Sequence, residues 1–343
     1  MDAMSAATSA AGPGGQVRIG TELFQVRDLR AEDQESLLRL HVNVFGPGAT
    51  PAWYEWKYAA GGGLGSGVWH EGELIAHCGG VPRPLWRQGR RETGIQIGDV
   101  MVAPQWRGIL SRRGPFFQAS RAFYSAHVGA GQGHAIAFGF PSERHLRLAV
   151  TLKLLWDAGP VHALTWDLQA KANSAPAWAW QSHSLDPSDL RFDARVDAAW
   201  QRMRGAATAL TLGERDARYV RWRFCERPQR RCHFLAVRRP WSRTLAGIAV
   251  LDLTSADAQW LDWIGDPAAI VAASRACIAQ AGRAGARSLS AWTSPLVTQS
   301  LRTSGVAHQS VIAWLGIPRA SSLTEQEVAG MPWWLMGGDT DFL

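Results

Sequence analysis

The chain has 343 residues, 46% apolar and 10% aromatic, enough to bury one large core or two moderate ones, and two domains are expected at that length. Its formal charge of +7 is gathered in short groups (Arg87, Arg90 and Arg91; Arg107, Arg112 and Arg113; residues 227–243), which favours local anionic ligands or solvated loops over a continuous nucleic-acid track. Cys78, Cys225, Cys232 and Cys277 form no CxxC pair and have no histidine at metal-ligand spacing, so neither a metal site nor a disulfide framework is indicated.

No stretch approaches the roughly 18–20 uninterrupted apolar residues of a membrane span, and the first residues carry no basic segment leading into an apolar one. A cytoplasmic protein with reduced thiols is expected. Residues 1–16 are rich in Ala, Ser and Gly and read as a disordered leader. A strand at 24–29 and a helix at 32–45 follow, the helix ended by Gly46, Pro47 and Gly48. The spacing then predicts a second helix at 51–60 and three antiparallel strands at 67–70, 73–86 and 94–103. After Pro104 come a long helix at 115–127, a short strand at 135–140, a helix at 143–156 and a strand at 161–168.

The second half repeats this order. Trp53-Tyr54-Glu55-Trp56-Lys57-Tyr58 is answered by Tyr219-Val220-Arg221-Trp222-Arg223-Phe224, and a later strand carries one acid in each half, Asp99 and Asp262. Amphipathic packing places Trp56 inward and Lys57 outward. Each acidic strand leads into a helix, at 115–127 or 267–282, and then a short strand, at 135–140 or 288–292. The expected division is an N-terminal unit at 17–166, a linker at 167–189 and a C-terminal unit at 190–343.

At Val100-Met101-Val102-Ala103-Pro104-Gln105-Trp106-Arg107-Gly108 the chain resembles the GNAT (Gcn5-related N-acetyltransferase) superfamily, in which a strand ends in V-x-P-x-aromatic-R-G and opens onto the acyl-CoA pyrophosphate loop. Gly139-Phe140-Pro141-Ser142 and the helix after it are similar to the family's later strand and helix beside the pantetheine arm. The closing segment, Trp333 to Asp341, is similar to the ends of some tandem GNAT and FemAB-like proteins, and its two tryptophans read as packing. The resemblance implies an α/β fold of two GNAT-like mixed-sheet domains in tandem, with helices on both faces of each sheet. It also implies acetyl-CoA or another acyl-CoA as cosubstrate, held by Met101, Val102, Arg107, Gly108, Ile109, Leu110, Ser111, Arg112 and Arg113. One departure stands out: the family loop reads R-G-x-G-x-G or R-G-x-G-x-A, whereas Arg107-Gly108 runs directly into Ile109-Leu110-Ser111.

Main-chain amides at such a turn and the following helix start suit a phosphate, and arginine forks add charge-assisted contacts. Acylating an amine with a thioester needs a neutral amine, a stabilised oxyanion and a departing thiolate. Asp99, on the strand that in this family faces the substrate, is the expected general base, and a structural acid tied to amides or an arginine is the competing reading. The oxyanion would be met by a main-chain N–H near Met101 or Val102. The late-helix tyrosine of many GNATs is absent, since Leu148-Ala149-Val150 stands there; Tyr124 reads as packing, and His127, His134 and His145 as surface or satisfied residues.

An acyl-CoA-dependent N-acyltransferase follows, acting on a small-molecule or peptide amine in the cleft between the copies. The second half lacks an R-G loop, because its acidic strand meets Pro267 directly, and is expected to work without a cofactor. Two alternatives stand beside it: a catalytically silent tandem-GNAT binding or scaffold protein, and a FemAB-like aminoacyl transferase using charged tRNA. No metal or membrane partner is expected. Acceptor identity, acyl-chain length and oligomeric state are left open.

Overall fold

The computed structural model describes residues 15–19, 22–169, 180–242 and 244–340. The first half runs β1 (Gly15–Ile19), β2 (Glu22–Asp28), α1 (Gln34–Phe45), α2 (Pro51–Tyr54) with a π-helical continuation (Glu55–Ala60), β3 (Leu64–His70), β4 (Glu73–Pro82), β5 (Leu85–Arg87) and β6 (Arg90–Glu92). It closes with β7 (Gly94–Val102), α3 (Pro115–His127), β8 (Ile136–Gly139), α4 (Glu143–Thr151) and β9 (Leu155–Asp167). The second half runs β10 (Gln181–Leu185), α5 (Phe192–Ala206), β11 (Thr211–Gly213), α6 (Ala217–Val220) with a π-helical continuation (Arg221–Cys225), β12 (His233–Arg238), β13 (Gly247–Asp252) and β14 (Asp257–Gly265). Then come α7 (Ile270–Arg283), β15 (Ser288–Thr293), α8 (Pro295–Ser300), β16 (His308–Pro318), α9 (Glu325–Ala329) and β17 (Trp333–Trp334).

Of the expected leader, residues 1–14 lie outside the described residues, and Gly15 and Gln16 open β1. Within 167–189, residues 170–179 lie outside the described residues, and Gln181–Leu185 form β10.

Thirteen strands make one mixed sheet in the order β1-β2-β3-β4-β7-β8-β16-β9-β15-β14-β13-β12-β10. The order is symmetrical about its centre. The run β2-β3-β4-β7-β8-β16 is answered from the other edge by β10-β12-β13-β14-β15-β9, so each half lends its last strand in this sheet to the other. β9 pairs antiparallel with both β15 and β16, and β16 reaches β8 where Gly316 faces Gly139. The expected mixed α/β fold is present, with both halves sharing a single sheet. A second, four-stranded sheet, β17-β11-β5-β6, ties a hairpin of the first half to two strands of the second.

Local chemistry explains the repeated helix–π units. Thr50 and Asp216 cap the two starts, their side chains accepting the main-chain N–H of Trp53 (3.2 Å) and Tyr219 (2.8 Å). Two sequence expectations need correction. The helix predicted over 143–156 stops at Thr151, because Lys153 turns left-handed (φ +61°) and releases the chain into β9 at Leu155. The strand predicted over 73–86 stops at Pro82, and a separate hairpin follows whose turn places Gln88 and Gly89 at φ +51° and +74°.

Each half has its own apolar core, the first around Phe24, Trp69, Ile95 and Phe123, the second around Phe192, Trp200, Trp260 and Trp263. A third core mixes residues of both halves: Phe138 and Val161 with Leu315, Ile317, Trp333 and Leu335. Buried hydrocarbon therefore crosses the junction, which makes the halves mechanically one body.

Candidate active site

The parallel pair β7 and β8 stays in register from Gly94 opposite Ile136 to Ile97 opposite Gly139, and there the pairing ends. A largely apolar cleft of about 300 Å³ opens beyond that point, walled by Val100, Phe116 and Phe140, with α4 contributing His145 and Ala149. Its floor includes Gly316, on the strand lent by the second half. A second recess, of about 250 Å³, lies between the halves, lined by Thr50, Trp53 and Lys57 from one side and by Arg227, Pro228 and Gln229 from the other. Asp99 borders both cavities.

Asp99 sits where β7 bulges against β4, between the pairs Gly79–Gly98 and His77–Met101. Its backbone is left-handed (φ +49°), a conformation a non-glycine residue holds only when its surroundings fix it. Three neighbours do so. Lys57 Nζ lies 2.8 Å from Asp99 Oδ2 and the Tyr58 hydroxyl donates to the same oxygen at 2.6 Å. From the other side the ring Nδ1 of His77 meets the Asp99 carbonyl at 2.7 Å. Burial pushes the Asp99 carboxyl upward in pKa, but the Lys57 ammonium and the two hydrogen bonds outweigh it and hold the group below its ordinary value.

His77 is fully buried, and desolvation drives its pKa down to about 4, so the imidazole is neutral and Nδ1–H is the donor. Its ring occupies space that side chains at Gly65 and Gly79 would need: a Cβ on either would come within 2.3 or 2.5 Å of the ring. Two glycines are thus spent on housing one imidazole against the bulge.

Lys57 corrects the amphipathic expectation. It is buried rather than outward, because the turn is covered on more than one side: Lys57 reaches Asp99 at 2.8 Å while Trp56 stacks on Trp222 of the second half. The signal available in the sequence was the pairing of a basic residue after each Trp with one acid on each later strand. His77 left no comparable signal, being a lone histidine in an apolar strand.

Met101 points into the first core and Val102 packs at its margin, so only their main chain can face the cleft. Arg107 folds back, its Nε donating to the Val102 carbonyl at 3.0 Å, which closes the end of β7. Gly108 is open, with no atom within 4 Å of an added Cβ. Ile109 packs partly against the core, while Leu110, Ser111, Arg112 and Arg113 are exposed. The turn is drawn tight by Gly114 N–H to the Ser111 carbonyl (2.9 Å) and by Gln118 Nε2 to the Arg112 carbonyl (2.6 Å). Gly114 caps α3 without a side chain, leaving the first helical amides directed at the turn. Such a turn can take an anion. Tyr124 lines the cleft, and burial pushes its phenol well above the ordinary pKa.

In the second half the corresponding place is filled by the chain itself. β14 and β15 pair up to Trp260 opposite Ala291 and then part. Into that opening comes the closing segment: Ser294 donates from its hydroxyl to the Trp333 carbonyl (2.7 Å), its N–H donates to the Leu335 carbonyl (3.0 Å), and Thr293 bridges Met336. Asp339 then meets Arg215, which also holds Asp262 at 2.9 Å, and Arg83 of the first half at 2.8 Å. Arg223, the counterpart of Lys57, donates to the carbonyls of Gly338 (3.0 Å) and Thr340 (2.6 Å). Gly338 lies against Phe224 and Asp262, leaving no room for a side chain.

Among the described residues no group of three or more His, Cys, Asp or Glu stands together as for a metal, and no helix is long and apolar enough to cross a membrane. No family model matches the sequence, and no curated protein matches it. Solved structures do match in architecture. A GCN5-related N-acetyltransferase from Kribbella flavida aligns at 17% identity with a TM-score of 0.59, over 85% of this chain and 70% of that one. One from Anabaena variabilis aligns at 13% identity and 0.60, over 86% and 72%. The fold is GNAT-like. The likeness extends to Saccharomyces cerevisiae N-myristoyltransferase, solved with bound myristoyl-CoA and inhibitors, at 10% identity and a TM-score of 0.55 over 90% of this chain and 82% of that one. Within this GNAT-like frame the open cleft belongs to the first half, and the filled one to the second.

Proposed function

We propose that the protein is an acyl-CoA-dependent N-acyltransferase whose donor lies in the first-half cleft and whose amine acceptor enters from the recess between the halves. The observation that carries this reading is the position of Asp99, which borders both cavities and is the shared wall at which thioester and amine would meet. The open turn at residues 108–113, with Arg112 and Arg113 beside the start of α3, suits the donor's phosphates, and the side of β7 that β8 leaves uncovered beyond Ile97 suits its pantetheine amides.

The acceptor nitrogen attacks the thioester carbonyl, a C–N bond forms, the C–S bond breaks and CoA leaves as thiolate. Attack makes the nitrogen cationic, and its proton passes to the ionised Asp99 carboxylate directly or through water. A carboxylate held below its ordinary pKa is a weak base towards a free alkylammonium near ~10.4, so the amine must reach it already neutral. The thiolate, with a thiol pKa near ~8.5, departs tolerably without an acid. The second half, its cleft occupied by residues 333–340, serves as a support that completes the acceptor recess.

The deciding experiment follows thiol release from acetyl-CoA and longer acyl-CoAs against a panel of amines, with wild type and Asp99→Asn in parallel. Acyl-amine product with wild type and its near-loss in the variant supports the reading; calorimetry showing no binding of CoA or any acyl-CoA to folded wild type removes it.

A further inference from the structure

Resting on the acyl-CoA reading above, the direction of the cleft bears on the donor's acyl group. The phosphate turn lies at the C-terminal end of β7, so a pantetheine arm following that strand runs from Val102 back towards Gly98, and whatever is bonded to its sulfur arrives last, where β7 and β8 meet. That inner end is bounded by Ile97, Tyr124, Gly139, Ala149, Leu155 and Gly316, all of them buried. Tyr124 is its one polar side chain, and the main chain of Ile97, Gly139 and Gly316 is paired across the three strands. An amide placed there would lose its hydrogen bonds with water and find at most the Tyr124 hydroxyl in return, whereas hydrocarbon gains on entering.

The end wall is set by packing. Leu155 and Pro141 close over Gly316, where an added Cβ would stand 2.9 Å from Leu155 Cδ1. The whole cleft, about 300 Å³, is at the lower limit of the roughly 300–1,000 Å³ of ligand pockets, and the arm must share it. We infer that the donor carries an apolar acyl group larger than acetyl but well short of a full fatty chain, seated on Gly139 and Gly316 and limited in length by Ala149 and Leu155.

The test is a binding panel on the full chain, by thermal shift and calorimetry, with CoA, acetyl-CoA, hexanoyl-CoA and myristoyl-CoA. Hexanoyl-CoA is expected to bind about 10-fold or more tighter than acetyl-CoA, with myristoyl-CoA no better than hexanoyl-CoA. Ala149→Leu, which fills the inner end, should erase the hexanoyl advantage and leave acetyl-CoA within about 3-fold of wild type. Leu155→Ala, which lengthens it, should move the preference towards the longer chain, and this arm stands even if Ala149→Leu fails to fold. Equal binding of acetyl- and hexanoyl-CoA, or an Ala149→Leu variant that weakens both alike, overturns the inference while leaving the acyl-CoA reading in place. Absence of binding by CoA and every acyl-CoA to folded wild type overturns that reading and this inference with it.

Discussion

Trp56 and Trp222 each donate an indole N–H to the other's main-chain carbonyl, at 2.7 and 2.9 Å, with their rings stacked 5.0 Å apart. The relation is reciprocal, so the repeat seen in the sequence is also a contact. Both carbonyls lie in π-helical turns. Trp56→Phe keeps the stacked surface but leaves a half-buried carbonyl without its donor, and should cost about 1–3 kcal/mol in urea unfolding. Trp222→Phe should cost less, because the Trp56 carbonyl keeps the Gly61 N–H at 2.9 Å. The double variant should fall short of the sum, because the two side chains share one contact.

Asp99→Asn, nearly isosteric, should lower turnover by about 10² to 10⁴ with little change in acyl-CoA affinity. The pH profile separates roles. Because the Asp99 pKa is held below its ordinary 3.8, the carboxylate is ionised throughout the range above that value, and the stability it contributes is lost only as pH falls below it. A rate limb between about pH 5 and 8 therefore does not belong to Asp99, and Asp99→Asn should lower the plateau without moving that limb. A limb that vanishes in the variant would contradict this assignment.

Gly108→Glu should abolish acetyl-CoA binding while leaving the circular dichroism spectrum unchanged. The fold tolerates the side chain, since nothing lies within 4 Å of the added Cβ, whereas a phosphate approaching the turn meets both bulk and like charge. Arg112→Ala removes one exposed charge and should raise the dissociation constant only about 3- to 30-fold, roughly 0.7–2 kcal/mol, by calorimetry.

His77 gives stability a pH dependence. Its folded pKa of about 4 lies below the ordinary 6.5, so the unfolded chain binds the extra proton first as pH falls. The stability it contributes is complete above pH 6.5 and is lost progressively down to about pH 4, by up to about 3 kcal/mol. Urea midpoints at pH 7.5, 5.5 and 4.5 should show this decline in wild type and a flatter profile in His77→Gln.

Asp339→Asn should be severe. It leaves Arg83 and Arg215, both buried, with Asp262 as their sole remaining carboxylate in the cluster, at a cost of about 3–5 kcal/mol. Burial raises the Asp262 pKa to about 6, against the pull of Arg215, and the nearby Asp339 carboxylate adds to the rise. With the second cleft filled, calorimetry should also return one acyl-CoA per chain; a value of two would mean that residues 333–340 yield to the ligand.

Much of this was legible locally. The helix Pro115–His127 has the bounds its periodicity predicts, and the paired motifs locate the π-helical turns. The burial of Lys57 was not legible, because a helical wheel assigns it to solvent, whereas Asp99 on a distant strand and Trp222 of the second half cover the turn. Nor was the partnership of Asp339, which depends on Arg83, Arg215 and Asp262 arriving from three distant segments. The exchange of β9 and β16 escapes for another reason: their apolar alternation is satisfied equally by pairing at home or across the junction, and the choice is made by the third core.

That exchange governs how the molecule can be made. Gly139 finds its second strand neighbour only when Gly316 has been synthesised, so the first half waits with one flank of β8 exposed until nearly the whole chain has left the ribosome. Pairings so distant in sequence close slowly. Cutting the gene between the halves should therefore yield two fragments that aggregate alone and recover only when expressed together, each supplying the other's missing strand.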